Sequence, residues 1–185
     1  MISLIPLDPQ LHTDALQQVY ALTPAYWEMY HLPGAPAGQA ERDLAAGAEE
    51  AGRNALGILL PNQPGDPAAG AQLIGLVDFR LHWPEPGTVY VGLVMVAEPF
   101  QRQGIASSAW ALLEQWLVEE AGIALARLTV EQFNPGALHF FQHNGFALTG
   151  ESRRTKSGQR LVRLLVMEKE LGIEKITTYS DDMKA

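Results

Sequence analysis

Val89-Tyr90-Val91-Gly92-Leu93-Val94-Met95-Val96 is a near-continuous apolar run, and Gln101-Arg102-Gln103-Gly104-Ile105-Ala106 follows it closely. A helical pattern then extends from Ser107 to Ala121. A run this short and this rich in valine reads as a buried strand. With the glycine turn and the helix after it, residues 88–121 form a strand–turn–helix unit. Such a unit exposes backbone N–H groups at the positive end of a helix, a setting that favours a phosphate-bearing ligand.

Upstream, Gln72 to Trp83 reads as a long strand, and Pro84-Glu85-Pro86-Gly87 as the turn joining it to the central run in a hairpin. Arg53 to Leu60 is a further strand pattern, and residues 61–70 are a solvated loop inside the domain. Residues 2–7 read as a short strand. Helical patterns cover about Gln10 to Leu22, with Leu11, Ala15, Leu16, Val19 and Tyr20 on one side, and roughly Gly38 to Ala51. Between these two helices, Tyr26-Trp27-Glu28-Met29-Tyr30 sets aromatic residues around one carboxylate, and Leu32-Pro33-Gly34-Ala35-Pro36 breaks the chain.

Downstream, the helix after the glycine turn carries Ala106, Ala109, Trp110, Leu113, Trp116 and Leu117 on one stripe and ends at Gly122. Arg127 to Gln132 alternates, with Leu128 and Val130 on one face and Arg127, Thr129 and Glu131 on the other. Asn134-Pro135 starts a helix that runs to Asn144 and stops at Gly145. Phe146 to Arg154 and Arg160 to Lys169 are strand patterns around a turn at 156–159, and residues 172–185 are a frayed tail. The order predicts an α/β (α+β) fold: one domain over 1–171, with a mixed, mostly antiparallel sheet of six to seven strands and helices on both faces.

Composition narrows the function classes. Hydrophobic residues at 47% and charged residues at 18% suit a soluble globular chain, and no apolar stretch reaches the length of a membrane span. The apolar N-terminus is too short and uncharged for a signal peptide, so a cytoplasmic location is expected. The absence of cysteine excludes disulfides, thiolate metal sites and a cysteine nucleophile. A net charge of −8 argues against non-specific nucleic-acid binding and leaves any anionic ligand to local groups. The five histidines show no metal-ligand spacing with carboxylates, so no metal is expected.

The stretch Gln101-Arg102-Gln103-Gly104-Ile105-Ala106 resembles the acetyl-CoA signature Q/R-x-x-G-x-G/A of the GNAT family of N-acetyltransferases. A second block, Asn134-Pro135-Gly136-Ala137-Leu138-His139-Phe140-Phe141-Gln142-His143-Asn144-Gly145-Phe146, resembles the family's asparagine, alanine, aromatic and Gly-Phe spacing. The element order agrees over roughly residues 2–170; across 20–70 the agreement is topological only. The resemblance implies a sheet splayed in the middle, with acetyl-CoA as co-substrate. It implies pyrophosphate contacts from Gln101 to Ala106, backbone pairing of the pantetheine arm with Val94 and Val96, and a side-chain contact from Asn134. Asn134 serves equally as a pure N-cap. Phe141, which the resemblance also sets among the acetyl-CoA-binding residues, stands where many members carry a tyrosine that protonates the leaving thiolate.

The residue types suit that chemistry. Amides of residues 102–106 need no side-chain ordering to meet phosphates, and Gly104 and Ala106 leave room for close approach. Several amide bonds to a charged acceptor, about 1.5–3 kcal/mol each, outweigh a helix-end dipole of about 0.3–1 kcal/mol per charge. At the acceptor, a lysine-like amine costs about 4–5 kcal/mol to deprotonate at pH 7, so a base assists. The candidates are Glu131, Glu98, Asp78 and His82, with Glu131 ahead because it ends the strand before Asn134. Water, Tyr90 or His139 can replace the missing hydroxyl as acid, or the thiolate can leave unassisted. The acceptor pocket is expected between residues 20–35, the strand around Asp78 to His82 and the final hairpin; there Tyr26, Trp27, Glu28 and Tyr30 suit recognition of a cation, whereas Arg153, Arg154 and Lys156 suit an anion.

The expected function is therefore transfer of an acetyl group from acetyl-CoA to a primary amine of a small molecule or a protein, by a monomer or homodimer. The alternative is a catalytically weak or inactive acyl-CoA-binding regulatory module, motivated by Phe141. A nucleotide-phosphate binder is disfavoured, because no Lys-Ser/Thr follows Gly104.

Overall fold

The computed structural model describes residues 1–61, 70–157 and 160–172. Residues 62–69 of the expected loop, 158–159 of the last hairpin turn and 173–185 of the expected tail lie outside them. The chain runs β1 (Ser3–Pro6), α1 (Pro9–Ala21), α2 (Pro24–Met29), α3 (Gln39–Glu49), β2 (Arg53–Pro61), β3 (Ala71–Leu81) and β4 (Thr88–Val96). It continues through a 3-10 turn (Glu98–Phe100), α4 (Ile105–Glu119), β5 (Leu125–Glu131), α5 (Pro135–His143), β6 (Ala147–Ser157) and β7 (Arg160–Glu170).

The seven strands form one sheet in the order β1-β2-β3-β4-β5-β7-β6. Every neighbouring pair is antiparallel except β4 and β5, which are parallel. This is the mixed, mostly antiparallel sheet that the strand order predicts. The parallel pair follows from the connection: α4 must cross over between β4 and β5, as parallel neighbours require.

Helices cover both faces. Trp110, Leu113 and Leu117 of α4 and Phe141 of α5 join Val77, Phe79, Val89, Val91 and Leu128 in one core cluster. Leu16, Val19 and Tyr20 of α1, Trp27 of α2 and Leu44 of α3 join Leu76 and Met95 in the other. A buried Leu, Val or Phe contributes about 1.5–3 kcal/mol, and an exposed ion pair under about 1 kcal/mol. The two clusters therefore hold the layers together. The expected α4 stripe holds at Ala109, Trp110, Leu113 and Leu117, but Trp116 is 42% exposed. The stripe is narrower than its apolar residues suggest, and Trp116 sits at its margin, its ring 6.5 Å from that of Phe79.

Local chemistry sets the helix starts. Asp8 caps α1 by accepting from the Gln10 and Leu11 amides at 2.7 and 3.2 Å, with Pro9 next in the chain. Asn134 caps α5 by accepting from the Ala137 amide at 3.0 Å, ahead of Pro135. No side chain caps α4, which starts at Gly104 with φ +76°. The α2 helix is an addition to the sequence reading. Its six residues complete fewer than two turns, too few to show a 3.6-residue period.

Candidate active site

The central feature is an opening between β4 and β5. Their pairing runs from Thr88–Leu125 to Val91–Leu128 and stops. Beyond it, β4 continues against β3 to Val96 and β5 continues against β7 to Glu131. A bulge marks the divergence, because Phe79 faces Val91 and Asp78 faces Leu93, leaving Gly92 as the extra residue. A Cβ on Gly92 would stand 3.0 Å from Asp78 Oδ1, so glycine lets the two strands stay close. Gly92 is also solvent-exposed in the middle of a central strand, which marks the floor of the opening.

The bulge resets the backbone alternation. The Ala97 amide donates to the Ile74 carbonyl of β3 at 2.8 Å, so strand alternation turns the polar groups of Val94 and Val96 towards the gap. The Val96 carbonyl accepts from Gln101 Nε2 at 2.7 Å, which fastens the following loop to the end of β4. That loop tightens through Gln103 Nε2 to the Pro99 carbonyl at 3.2 Å, with Arg102 at φ +60°. Arg102 and Gln103 are exposed, while Ile105 and Ala106 pack against the core from the first turn of α4. A Cβ on Gly104 would meet nothing within 4 Å, so the helix start is open to a ligand. An uncapped helix end beside a strand edge that lacks a partner suits a ligand with phosphates and an extended amide-bearing arm.

One carboxylate and two phenols gather at the far end of β5. Glu131 Oε1 accepts from the Tyr30 hydroxyl at 2.5 Å, and the Tyr26 and Tyr30 rings stand edge to face 5.2 Å apart. Burial, then the bond to Glu131, holds the Tyr30 phenol above its ordinary range. Burial and the Glu131 charge do the same at Tyr26. Where the strands part, the Tyr90 hydroxyl lies 2.8 Å from Thr129 Oγ1, and the Trp83 ring stands edge-on to Tyr90. Thr129 and Glu131 share a face of β5, so Tyr90, Thr129, Glu131 and Tyr30 form one polar row across the mouth of the gap.

Other sequence candidates lie elsewhere. Glu98 accepts from the Ala25 amide at 2.9 Å and so anchors the start of α2. His82 accepts from the Gly87 amide at 3.1 Å within the β3–β4 turn. Asp78 pairs with Arg53 at 3.0 Å; burial pushes its carboxyl up and the guanidinium offsets part of that rise. Trp27 is buried, with its indole N–H donating to the Tyr20 carbonyl at 2.8 Å, while Glu28, next in the chain, is exposed. Asn134 spends its Oδ1 on the α5 cap, leaving its amide nitrogen as the donor. Phe141 is 8% exposed, packed edge to face against Phe140 and Phe146.

The expected acceptor region is divided in two. A cavity of about 270 Å³ is lined by Tyr26, Trp27, Asp43, Arg53, Asp78 and Gly92. A groove of about 750 Å³ is lined by Glu28, Tyr30, His31, Phe133, Leu161 and Arg163. Tyr26 lines the first and Tyr30 the second. A third hollow, about 700 Å³, lies at β1, three strands from β4, and takes its lining from Leu4, Leu56, Leu112 and Trp116. It holds none of the helix-start or Glu131 groups. Gly92, Thr129 and Asp43 were not singled out as site residues from the sequence. A glycine inside an apolar run is a bulge signal, and it was available for Gly92.

A family model described as the acetyltransferase (GNAT) family matches residues 19–146. Among curated proteins no sequence matches significantly. An acetyltransferase from Thermus thermophilus is 24% identical and superposes with a TM-score of 0.70, over 92% of this chain and 97% of the other. An acetyltransferase from Salmonella typhimurium, which modifies the N-terminal serine of ribosomal protein L7/L12, is 16% identical with a TM-score of 0.73, over 92% and 95%. An N-acetyltransferase from Thermoplasma acidophilum in complex with coenzyme A is 16% identical with a TM-score of 0.62, over 92% and 99%. At these identities the likeness establishes the fold, and the family model spans more than half of the chain. The chain belongs to the GNAT family of acetyltransferases, enzymes that use acetyl-CoA.

Proposed function

We propose that this protein transfers the acetyl group of acetyl-CoA to a primary amine, using the gap between β4 and β5 as its cofactor site. The observation that carries the reading is the end of strand pairing at Val91–Leu128, immediately before an uncapped helix start at Gly104. Acetyl-CoA supplies the activated acetyl thioester. The amides of Ile105 and Ala106 bind its phosphates, with Arg102 as a second, exposed clamp. Val94 and the Val96 amide bond the pantetheine arm as an added strand would. The Asn134 amide nitrogen reaches the same arm.

Glu131 acts as general base. The ammonium gives one proton to Glu131 and the free amine attacks the thioester carbonyl; the carbon–sulfur bond then breaks, the thiolate leaves, and the nitrogen's second proton passes through water to the hydroxyls that protonate the thiolate. The Tyr90–Thr129 hydroxyl pair stands at the throat of the gap and is the donor available to that thiolate in place of a hydroxyl at 141. The cavity beside Asp78 and Tyr26 and the groove beside Tyr30 are the two routes for the acceptor. The domain spans residues 1–171, and the location is cytoplasmic.

A second reading, an acyl-CoA-binding module without turnover, is favoured by one observation: Phe141 is buried among Phe140 and Phe146 and offers no proton. Thiol release from acetyl-CoA across a panel of alkylamines, diamines and peptides separates the two. The enzyme reading expects at least one amine to raise release well above background hydrolysis. Tight acetyl-CoA binding with no amine-dependent release would leave the binding module standing.

A further inference from the structure

We infer that Tyr30 is a positioning residue for acetyl transfer, holding the Glu131 carboxylate in one orientation at the open end of β5. The inference rests on the reading of Glu131 as the base. The contact joins residues 101 positions apart, so it is built by the fold and not by local sequence. A glutamate at a strand end has free side-chain torsions. A hydrogen bond to one carboxylate oxygen removes most of that freedom and leaves the other oxygen for the amine. Alignment of this kind is a large share of what an active site contributes to rate.

Tyr30 is itself firmly placed. The start of α2 is fixed by the Glu98 carboxylate on the Ala25 amide, and the Glu98 amide bonds the Leu22 carbonyl, each at 2.9 Å. Trp27 anchors the middle of α2 through its indole bond to Tyr20. The Tyr30 amide donates to the Trp27 carbonyl at 3.0 Å, and its ring stacks edge-on to Tyr26 and to Phe133. The phenol therefore arrives from a braced helix, not from a loose loop.

The groups around Glu131 are few. From α2 comes Tyr26 and from its C-cap Tyr30, with His31 next in the chain and Glu28 exposed along the same groove. Its own strand presents Thr129 and, further back, Arg127 paired with Glu168. The β7 strand sets apolar Leu164 and Val166 opposite Glu131 and Thr129, and Arg163 lines the groove. Asp43 of α3 acts on Tyr26 from the far side, and Tyr90 of β4 faces Thr129. The Tyr30 hydroxyl donates directly to Glu131 Oε1. Its phenol stays protonated through the assay range, because burial and Glu131 both oppose ionisation. Throughout the step, the amine proton goes to the Glu131 oxygen that Tyr30 does not hold, and the phenol keeps its own.

The test compares Tyr30→Phe, Glu131→Gln and the double variant, with acetyl-CoA and whichever of an alkylamine, a diamine and a short peptide reacts fastest. Tyr30→Phe removes one oxygen and keeps the ring packing. It should lower kcat by about tenfold near neutral pH, the size of one hydrogen bond to a charged group. The KM for acetyl-CoA should not change. Glu131→Gln should lower kcat further than Tyr30→Phe does, and adding Tyr30→Phe to it should change the rate by no more than about twofold. An unchanged kcat in Tyr30→Phe, with kcat lost in Glu131→Gln, overturns the role of Tyr30 alone. A Glu131→Gln enzyme that keeps the wild-type kcat overturns both the base and its positioning. A Tyr30→Phe loss of full size that persists in the Glu131→Gln background assigns the effect to another group, and the inference fails.

Discussion

Two residues carry opposite kinds of requirement. Gly104 is needed for its backbone: φ is +76°, and a Cβ there would meet nothing within 4 Å. Substitution by valine therefore strains the backbone by about 1–2 kcal/mol without crowding the fold. The same side chain would stand over the amides of the α4 start. Acetyl-CoA affinity should fall by about a hundredfold, more than the stability loss accounts for, as several charge-assisted bonds weaken together. Calorimetric titration beside thermal unfolding checks this; equal losses in both would make the glycine purely structural. Glu131 is needed for its side chain. Glu131→Gln keeps the shape but not the proton uptake, so turnover at neutral pH should drop by about 10²–10⁴-fold and recover as the pH rises and the amine deprotonates unaided. A pH–rate profile like that of the parent enzyme would remove Glu131 from the mechanism.

At the scale of elements, the opening is made by one bulge and covered by one short helix. The apolar run of β4 and the glycine turn after it were legible in the sequence because both are local signals. The alternation of Arg127, Thr129 and Glu131 on one face of β5 was equally legible and holds. The bulge at Gly92 was not inferred, since its register depends on β3 across the sheet. The α2 helix escaped because six residues give no period, and its contact to Glu131 spans 101 positions. Phe141 shows the reverse limit: its place in the second block was readable, but its burial against Phe146 depends on how α5 meets β6. Glu98→Ala removes the acceptor for the Ala25 amide, which should cost about 1 kcal/mol and speed amide exchange through residues 24–30. The KM for the amine should rise while that for acetyl-CoA holds. Unaltered exchange in α2 would show that its rings alone brace it.

The whole molecule is two cores separated by a sheet, and its polar chemistry is concentrated on the face that carries α1, α2 and α3. Arg53–Asp78, Arg80–Glu50, Arg127–Glu168, Tyr90–Thr129 and Tyr30–Glu131 all contribute to that belt. Three phenols on this side, Tyr20, Tyr26 and Tyr30, are raised above their ordinary value of 10.0, each chiefly by burial. The folded state thus holds protons that the unfolded chain releases near pH 10, and stability should be complete below that pH and fall as it rises further. Denaturant melts from pH 8 to about 11 should show this decline, smaller in Tyr26→Phe than in the parent. A flat profile would mean the phenols ionise freely in the folded protein.

If the gap between β4 and β5 receives acetyl-CoA, amide hydrogen exchange measured with and without saturating acetyl-CoA should report it. New protection is expected at Val94, Val96 and the first turn of α4 from Ile105. Protection confined to the hollow at β1, around Leu4, Leu56 and Leu112, with Val94 and Ile105 unchanged, would contradict it.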